Sequence, residues 1–275
     1  MSNILILGGG HVSQGLQRAL HDTDHSVHVV TSDTIDYSDS MALHDYMNKV
    51  LPDVVINAVA FTDVAGAEKT SNQLKCTALN TLLPLILQGL CRQHKCEFIH
   101  FSTYFVFDGK SKTPYKEDSP TNPLQFYGKT KDGADILLGK KRRTKIFRLG
   151  AVYSNHGKSF VAQIEDRMMD QYSIDVVSDQ IMTPTHADWI GEIVVQCLEK
   201  PAYGLYNLCP DGYCSYADFA RKIVDGRCEI NPISSFHYAA TVQRPLYGVM
   251  DNTKIKQTFE LEFPTWEQVY DRYKF

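Results

Sequence analysis

The feature that most constrains this chain is a glycine triplet, Gly8-Gly9-Gly10, set directly after the apolar run Asn3 to Leu7. A short run rich in Ile and Leu reads as a buried strand. Val12, Leu16, Ala19 and Leu20 follow at helical spacing, so the glycines occupy a strand-to-helix turn. Glycine permits that tight turn and lets a pyrophosphate approach the backbone. The helix amino end, with its unpaired N–H groups, then faces the phosphates. Gly8, Gly10, His11 and Val12 are the candidate phosphate-cradling residues. In the pattern G-x-G-x-x-G the third glycine is replaced by Ser13, which is small enough for helix and strand to stay close. A glycine turn can be merely structural, but its place after the first strand favours dinucleotide binding.

The alternation continues. Ser26 to Val30 reads as a second strand, Ser40 to Val50 as a helix stopped near Pro52, and Val54 to Ile56 as a third strand. Leu79 to Leu90 fits a helix, Phe98 to Phe101 a strand running into Ser102-Thr103, Tyr127 to Leu138 a helix, and Thr144 to Leu149 a strand. Strands alternating with helices predict an α/β, Rossmann-like doubly wound parallel sheet. Past Gly150 the alternation becomes irregular, with prolines at 184, 201, 210, 232 and 245. The expected organisation is a nucleotide-binding domain over 1–150. Residues 151–275 are expected to be mainly a smaller substrate lobe over the carboxyl ends of the strands, with some segments returning to the first domain.

Bulk properties narrow the function class. The formal net charge of −4 gives no electrostatic case for nucleic acid or an anionic membrane as partner. No apolar run is read as long enough to span a bilayer, and the start of the chain lacks the basic flank of a signal peptide. Seven irregularly spaced cysteines read as free thiols in a reducing compartment, so a cytoplasmic location is expected. Cys91, His94 and Cys96, with His100 beyond, have zinc-ligand chemistry, but the spacing is not C-x2-C and His100 falls inside an apolar strand pattern, so the preferred reading is loop and core residues with no metal. Lys140 to Arg143 reads as a solvated helix end.

The chemistry concentrates in Tyr127-Gly-Lys-Thr-Lys131. On a helix, residues i and i+4 share a face. A free tyrosine has a pKa of about 10, and a neighbouring ammonium is expected to lower it towards the range where it exchanges a proton. Tyr-x3-Lys alone is common by chance. Thr103 makes it specific: it lies at the carboxyl end of the Phe98 to Phe101 strand, where its hydroxyl can bond a substrate carbonyl that Tyr127 protonates.

These motifs, with several others in order, give the chain a wider likeness. The others are Asn57-Ala58-Val59-Ala60-Phe61-Thr62, Ala67-Glu68, Ser102-Thr103-Tyr104-Phe105-Val106-Phe107-Asp108-Gly109 and the segment Pro123 to Lys131. Further on come Phe147-Arg148, Val152-Tyr153, Asp179-Gln180, Pro184-Thr185, Gly204 to Asn207, Arg244-Pro245 and Asp251 to Lys254. Over nearly its whole length the chain resembles the dTDP-4-dehydrorhamnose reductase family, within the extended short-chain dehydrogenase/reductases. The resemblance implies an NADPH-dependent reduction, with NADH also open, of the 4-keto group of a nucleotide-linked 4-keto-6-deoxyhexose. It implies Thr103, Tyr127 and Lys131 as the catalytic trio. Tyr127 would be the proton donor, and Lys131 would bind the nicotinamide ribose. Asp36 and Tyr37 would lie near the adenine, and Ala58, Val59, Ala60 and Thr62 along the cofactor cleft. Tyr104, Phe105, Ala151, Gln180, Thr185 and Arg244 would face the nucleotide-sugar. A homodimer is left open.

Three departures from the family pattern bear on the substrate. Tyr104 and Phe105 stand where the family reads Asp-Tyr, Gly150-Ala151 where it reads Ser-Trp, and Val64-Ala65 where it reads Val-Asp. The trio is intact while the expected sugar pocket is altered. Two other readings stand beside the reductase. One is a non-catalytic binding protein, since the regulatory beta subunit of methionine adenosyltransferase shares this fold; the intact trio argues against it. The other is a bifunctional epimerase/reductase, for which no extra acid/base pair is identified. At the tip of the second strand, Thr31-Ser32 supplies no acid to repel a 2′-phosphate, although Asp33 follows, so NADPH is expected over NADH.

Overall fold

The computed structural model describes residues 1–236 and 242–274. Its centre is a sheet of six parallel strands: β1 (Asn3–Leu7), β2 (Ser26–Val30), β3 (Val54–Asn57), β4 (Glu97–Thr103), β5 (Thr144–Leu149) and an edge strand Gly204–Leu208. They lie in the order β2-β1-β3-β4-β5-edge. Strands β3, β4 and β5 are buried along their whole length, as covering both faces of a parallel sheet requires. The chain leaves β1 for β2 on one side and reaches β3 on the other. The order therefore reverses at β1, and a crevice opens beyond the carboxyl ends of β1 and β3.

One face is covered by α1 (His11–Leu20) and the helix Ala187–Leu198, joined by Ile4, Ile6, Leu16, Trp189, Ile190 and Val194 in one core. These two helices touch backbone to backbone. A Cβ on Gly15 would lie 2.1 Å from the Ala187 carbonyl oxygen, and one on Gly191 would lie 2.4 Å from the Gly15 oxygen. The opposite face carries the helices Ser40–Val50, Leu83–His94 and Phe126–Leu138, packed through Leu43, Met47, Leu87, Phe98, Ala134 and Leu138.

The helix expected over Leu79 to Leu90 is longer than its pattern. It runs continuously from Thr70 to His94, with a wider turn at Ala78–Leu82 that carries the buried Asn80. By length and composition this stretch meets the requirement for crossing a membrane, which corrects the sequence reading that no such run exists. Joining two shorter patterns through the wide turn makes the length. Leu83, Leu87, Leu90 and Cys91 are buried in the core on this face.

Past Gly150 the chain divides its work. Ala187–Leu198 packs on α1 and Gly204–Leu208 extends the sheet. A third core lies beyond the carboxyl end of β4, where helices Phe160–Asp170 and Tyr216–Val224 pack on the parallel pair Ser173–Val177 and Glu229–Ile233. This core includes Tyr104, Phe105, Val106 and Phe107, so the lobe grows directly from the end of the strand that carries Thr103.

Candidate active site

At the end of β1, Gly8 adopts φ +113°, and its N–H donates to the Val30 carbonyl at 2.8 Å. A Cβ here would meet the Ala58 carbonyl carbon and oxygen at 2.9 Å. The turn is therefore pressed against the end of β3, and only glycine fits. Ser13 is fully buried and donates its hydroxyl to the Gly8 carbonyl at 2.6 Å, so the residue in the third glycine position locks the turn from beneath. Gly10 is the N-cap of α1, with no side-chain cap and open space where a Cβ would point. The free N–H groups of α1 face that space, which is the geometry a pyrophosphate needs. His11 and Val12 begin the helix, both half-buried. Burial, with His156 and Arg18 nearby, lowers the His11 pKa, so its imidazole is neutral at neutral pH.

Around this cradle, Tyr37 is buried and donates to the Val30 carbonyl at 2.9 Å, supporting the turn from the core side. Asp36 is exposed. Its carboxylate accepts from the Ser38 backbone N–H at 2.8 Å and hydroxyl at 2.7 Å, which hold its pKa below the usual range. The stretch 58–62 is held at both ends. Asn57 Oδ1 accepts from the Val59 N–H at 3.1 Å, while Asn80 accepts from the Phe61 N–H at 2.8 Å and donates to the Phe61 carbonyl at 3.1 Å. Val59 is buried in the core, Ala58 and Ala60 are half-buried, and Thr62 is exposed.

The three residues expected to form a catalytic trio gather where β4 ends. The helix Phe126–Leu138 has no side-chain cap of its own; the Glu68 carboxylate accepts from the Phe126 N–H at 2.6 Å instead. Gly128 lets this helix end close onto the turn Tyr104–Val106 that follows β4, since a Cβ there would lie 2.3 Å from the Phe105 carbonyl oxygen. Tyr127 is thereby brought beside Thr103, whose side chain hydrogen-bonds the phenol, and the Phe105 ring packs edge-on to Tyr127 at 5.8 Å. Lys131, one turn on, is buried, and its Nζ donates to the Phe101 carbonyl at 2.5 Å.

Here the electrostatics differ from the sequence expectation. Burial pushes the Tyr127 phenol up to about 12, with the Thr103 bond opposing. Burial brings Lys131 down to about 8 against the pull of Asp135 and Cys76. The expected lowering of the phenol by the ammonium does not appear, because Lys131 turns to the backbone of β4 and to His100 Nε2 at 3.2 Å. At neutral pH Tyr127 therefore holds its proton, which suits a donor.

Of the residues expected at the sugar, Tyr104 is 4% exposed and shares a hydrogen bond with the Tyr216 hydroxyl at 3.3 Å. Its ring lies on Gly248, where a Cβ would fall 2.2 Å from the Tyr104 ring. The exposed Arg244 acts electrostatically on the Tyr104 phenol, and Gln180 is buried with its backbone carbonyl accepting from the Tyr216 N–H at 3.3 Å. Phe105 and the half-buried Ala151 pack in the same core as Tyr127 and Tyr216. Thr185 is fully buried and donates to the Thr183 carbonyl at 3.0 Å, so its hydroxyl is spent within the protein. Among the described residues no three His, Cys, Asp or Glu side chains gather to hold a metal. Cys91 and Cys96 are both buried, with the Cys96 thiol on the Cys91 carbonyl.

Sequence reasoning gave Asn57, Asn80 and His100 no role beside Tyr127, Lys131 or the glycine turn. All three are fully buried polar side chains next to the trio or the cofactor cleft. The available signal was their polarity inside otherwise apolar runs: a His within Phe98 to Phe101, and an Asn closing Val54 to Ile56.

Comparison with known proteins agrees with this geometry. A family model described as RmlD substrate binding domain matches residues 1–273. Among curated relatives, the Bacillus subtilis spore coat polysaccharide biosynthesis protein SpsK is 28% identical, covering 94% of this chain and 92% of its own. The dTDP-4-dehydrorhamnose reductase of Aggregatibacter actinomycetemcomitans is also 28% identical, covering 98% and 97%. Among solved structures, a dTDP-4-dehydrorhamnose reductase from Clostridium acetobutylicum superposes with a TM-score of 0.93 at 26% identity, covering 98% of this chain and 97% of its own.

Proposed function

This chain belongs to the RmlD substrate binding domain family, and we propose that it is an NADPH-dependent reductase of the 4-keto group of a nucleotide-linked 4-keto-6-deoxyhexose, serving deoxysugar or polysaccharide synthesis. The observation that carries the reading is the meeting of Thr103, Tyr127 and Lys131 at the end of β4, the strand next to β3, on whose end the glycine turn of β1 packs. The uncapped amino end of α1 and the open space at Gly10 fit a dinucleotide pyrophosphate. When bound, the nicotinamide supplies the hydride. Tyr127, protonated at neutral pH, hands its proton to the ketone oxygen, and Thr103 donates a hydrogen bond to the same oxygen. Lys131 is assigned to the nicotinamide ribose, and the Thr103 hydroxyl offsets the phenolate that remains.

Residues 1–150 serve as the cofactor domain, and 151–275 mainly as the substrate lobe, with Ala187–Leu198 and Gly204–Leu208 returning to the sheet. The sugar is assigned to the space bounded by Tyr104, Phe105, Ala151, Gln180 and Arg244. Seven free, buried cysteines suit a reducing cytoplasm. Exposed Leu74, Leu82, Ile136 and Leu137, on helices that pack together, are offered as the face of a homodimer. The test is NADPH oxidation by the purified protein against a panel of dTDP- and UDP-linked 4-keto-6-deoxyhexoses. Turnover of at least one is expected; none across the panel removes the proposal.

A further inference from the structure

His100 is fully buried in β4, where an apolar side chain would avoid the desolvation of two ring nitrogens. Strand alternation puts Phe98, His100 and Ser102 on the face covered by the helix Phe126–Leu138. The imidazole stacks on Phe98 at 6.2 Å and reaches Lys131 from below. Register places Asn57 directly beside His100 on the neighbouring strand. Asn57 Nδ2 lies 3.2 Å from His100 Nδ1, and His100 Nε2 lies 3.2 Å from Lys131 Nζ. A continuous buried line thus runs from the Val59 N–H through Asn57 and His100 to Lys131.

We propose that His100, oriented by Asn57, is a positioning residue that fixes where Lys131 sits and sets the pH at which the lysine gives up its proton. The directions of the hydrogen bonds carry the argument. The Val59 N–H donates to Asn57 Oδ1, which identifies the oxygen end of that amide. The amide N–H end therefore faces His100 and donates to Nδ1. A neutral imidazole that accepts at Nδ1 carries its hydrogen on Nε2. That N–H points at Lys131 Nζ. An ammonium has three N–H groups and no lone pair, so it meets the imidazole donor to donor; the neutral amine has a lone pair to accept the bond. The Phe101 carbonyl on the other side accepts from either form and holds Nζ in place. The tautomer of His100 therefore biases Lys131 towards the amine, in the same direction as burial, which by itself keeps His100 neutral.

The other groups facing Lys131 do not account for such a bias. Asp135, one turn along the same helix, favours the ammonium and is itself paired with Arg148 at 2.8 Å. Cys76, from the helix Thr70–Thr77, is a thiol whose pKa burial raises. Tyr127 keeps its proton up to about 12. His100 is the group whose hydrogen can be turned towards or away from Nζ without any change of charge.

The kinetic consequence rests on the reductase reading, but the direct test does not. Nitrogen NMR on histidine-labelled protein, with His100 assigned by its loss in His100→Phe, should find Nε2 protonated and Nδ1 bare. The opposite tautomer overturns the proposal. Asn57→Asp supplies a carboxylate that accepts from both the Val59 N–H and a hydrogen on Nδ1. The imidazole then presents the Nε2 lone pair to Lys131. The Lys131 titration midpoint, followed by NMR of its side chain, should rise by at least about one pH unit. In a His100→Phe background, which keeps the stack on Phe98, the same Asn57→Asp change should move the midpoint by less than about half as much. A shift that survives in that background is direct attraction by the new carboxylate and overturns the role of His100. If Asn57→Asp does not fold, the tautomer measurement on the parental protein decides alone. In the reductase assay, the fall of kcat/KM at alkaline pH should move upward with the Lys131 midpoint.

Discussion

Gly8 and Gly10 separate the structural from the ligand-binding role of the glycine turn. Alanine at Gly8 must adopt φ +113°, outside the regions open to a side chain, at about 1–3 kcal/mol. Its Cβ would also press on the Ala58 carbonyl at 2.9 Å, a backbone group that cannot swing aside, and such overpacking adds about 1–3 kcal/mol. Gly8→Ala should therefore lose about 2–6 kcal/mol. At roughly 2–4 °C per kcal/mol for a domain approaching this size, the melting temperature should fall by at least about 4 °C. Alanine at Gly10 meets nothing within 4 Å, and its φ of −77° is ordinary. Gly10→Ala should cost less than about 1 kcal/mol of stability, as a lost N-cap preference. Its methyl would nevertheless stand in the space where a pyrophosphate approaches α1, so NADPH should bind at least about tenfold more weakly. Thermal melts and NADPH titration of both variants give the two readouts. The reasoning fails if Gly8→Ala melts with the parental protein, or if Gly10→Ala binds NADPH at parental strength.

Three further outcomes are expected. Tyr127→Phe should leave the fold and NADPH affinity unchanged while lowering kcat about 10²–10⁴-fold, and parental turnover would refute the donor assignment. The buried Tyr104 phenol pairs with the Tyr216 hydroxyl and offers no carboxylate of its own. The kcat/KM for dTDP-4-dehydrorhamnose should then be at least about tenfold below that for a related 4-keto-sugar in the same panel; a best rate on dTDP-4-dehydrorhamnose would refute it. Buried His186 has its pKa lowered to about 4 by burial, so between pH 6.5 and 4 the unfolded chain binds a proton that the fold does not. Stability should therefore drop as pH falls through that window, by up to about 3 kcal/mol from this residue. His186→Asn, which keeps an acceptor at the N-cap of Ala187–Leu198, should flatten that part of the melting curve against pH; an unchanged slope counts against the assignment.

Local patterns made much of this legible in the sequence. The run Asn3 to Leu7, the glycines and the helical spacing after them specify a turn whose geometry is fixed within a few residues. Tyr127 and Lys131 share a face because helical period alone puts them there. What the sequence hid depends on register between distant segments. Asn57 meets His100 across 43 positions only because β3 and β4 pair as they do. The depth of burial at Lys131 was equally hidden, and with it the turn of the ammonium away from Tyr127 towards β4. The extension of the Leu79 helix back to Thr70 escaped because Thr70 to Thr77 is mostly polar, with only Cys76 buried.

Isotope transfer tests the central claim most directly. NADPH carrying deuterium at the hydride position should be incubated with the best 4-keto-6-deoxyhexose nucleotide of the panel, and the product sugar examined by NMR. Delivery next to a Tyr127-protonated ketone predicts one deuterium, bonded to C4 of the reduced sugar. It also predicts at most about a hundredth as much label in the sugar when Tyr127→Phe is compared over the initial, linear phase. NADPH consumption with the label at another carbon, or with no label in the sugar, would contradict the account.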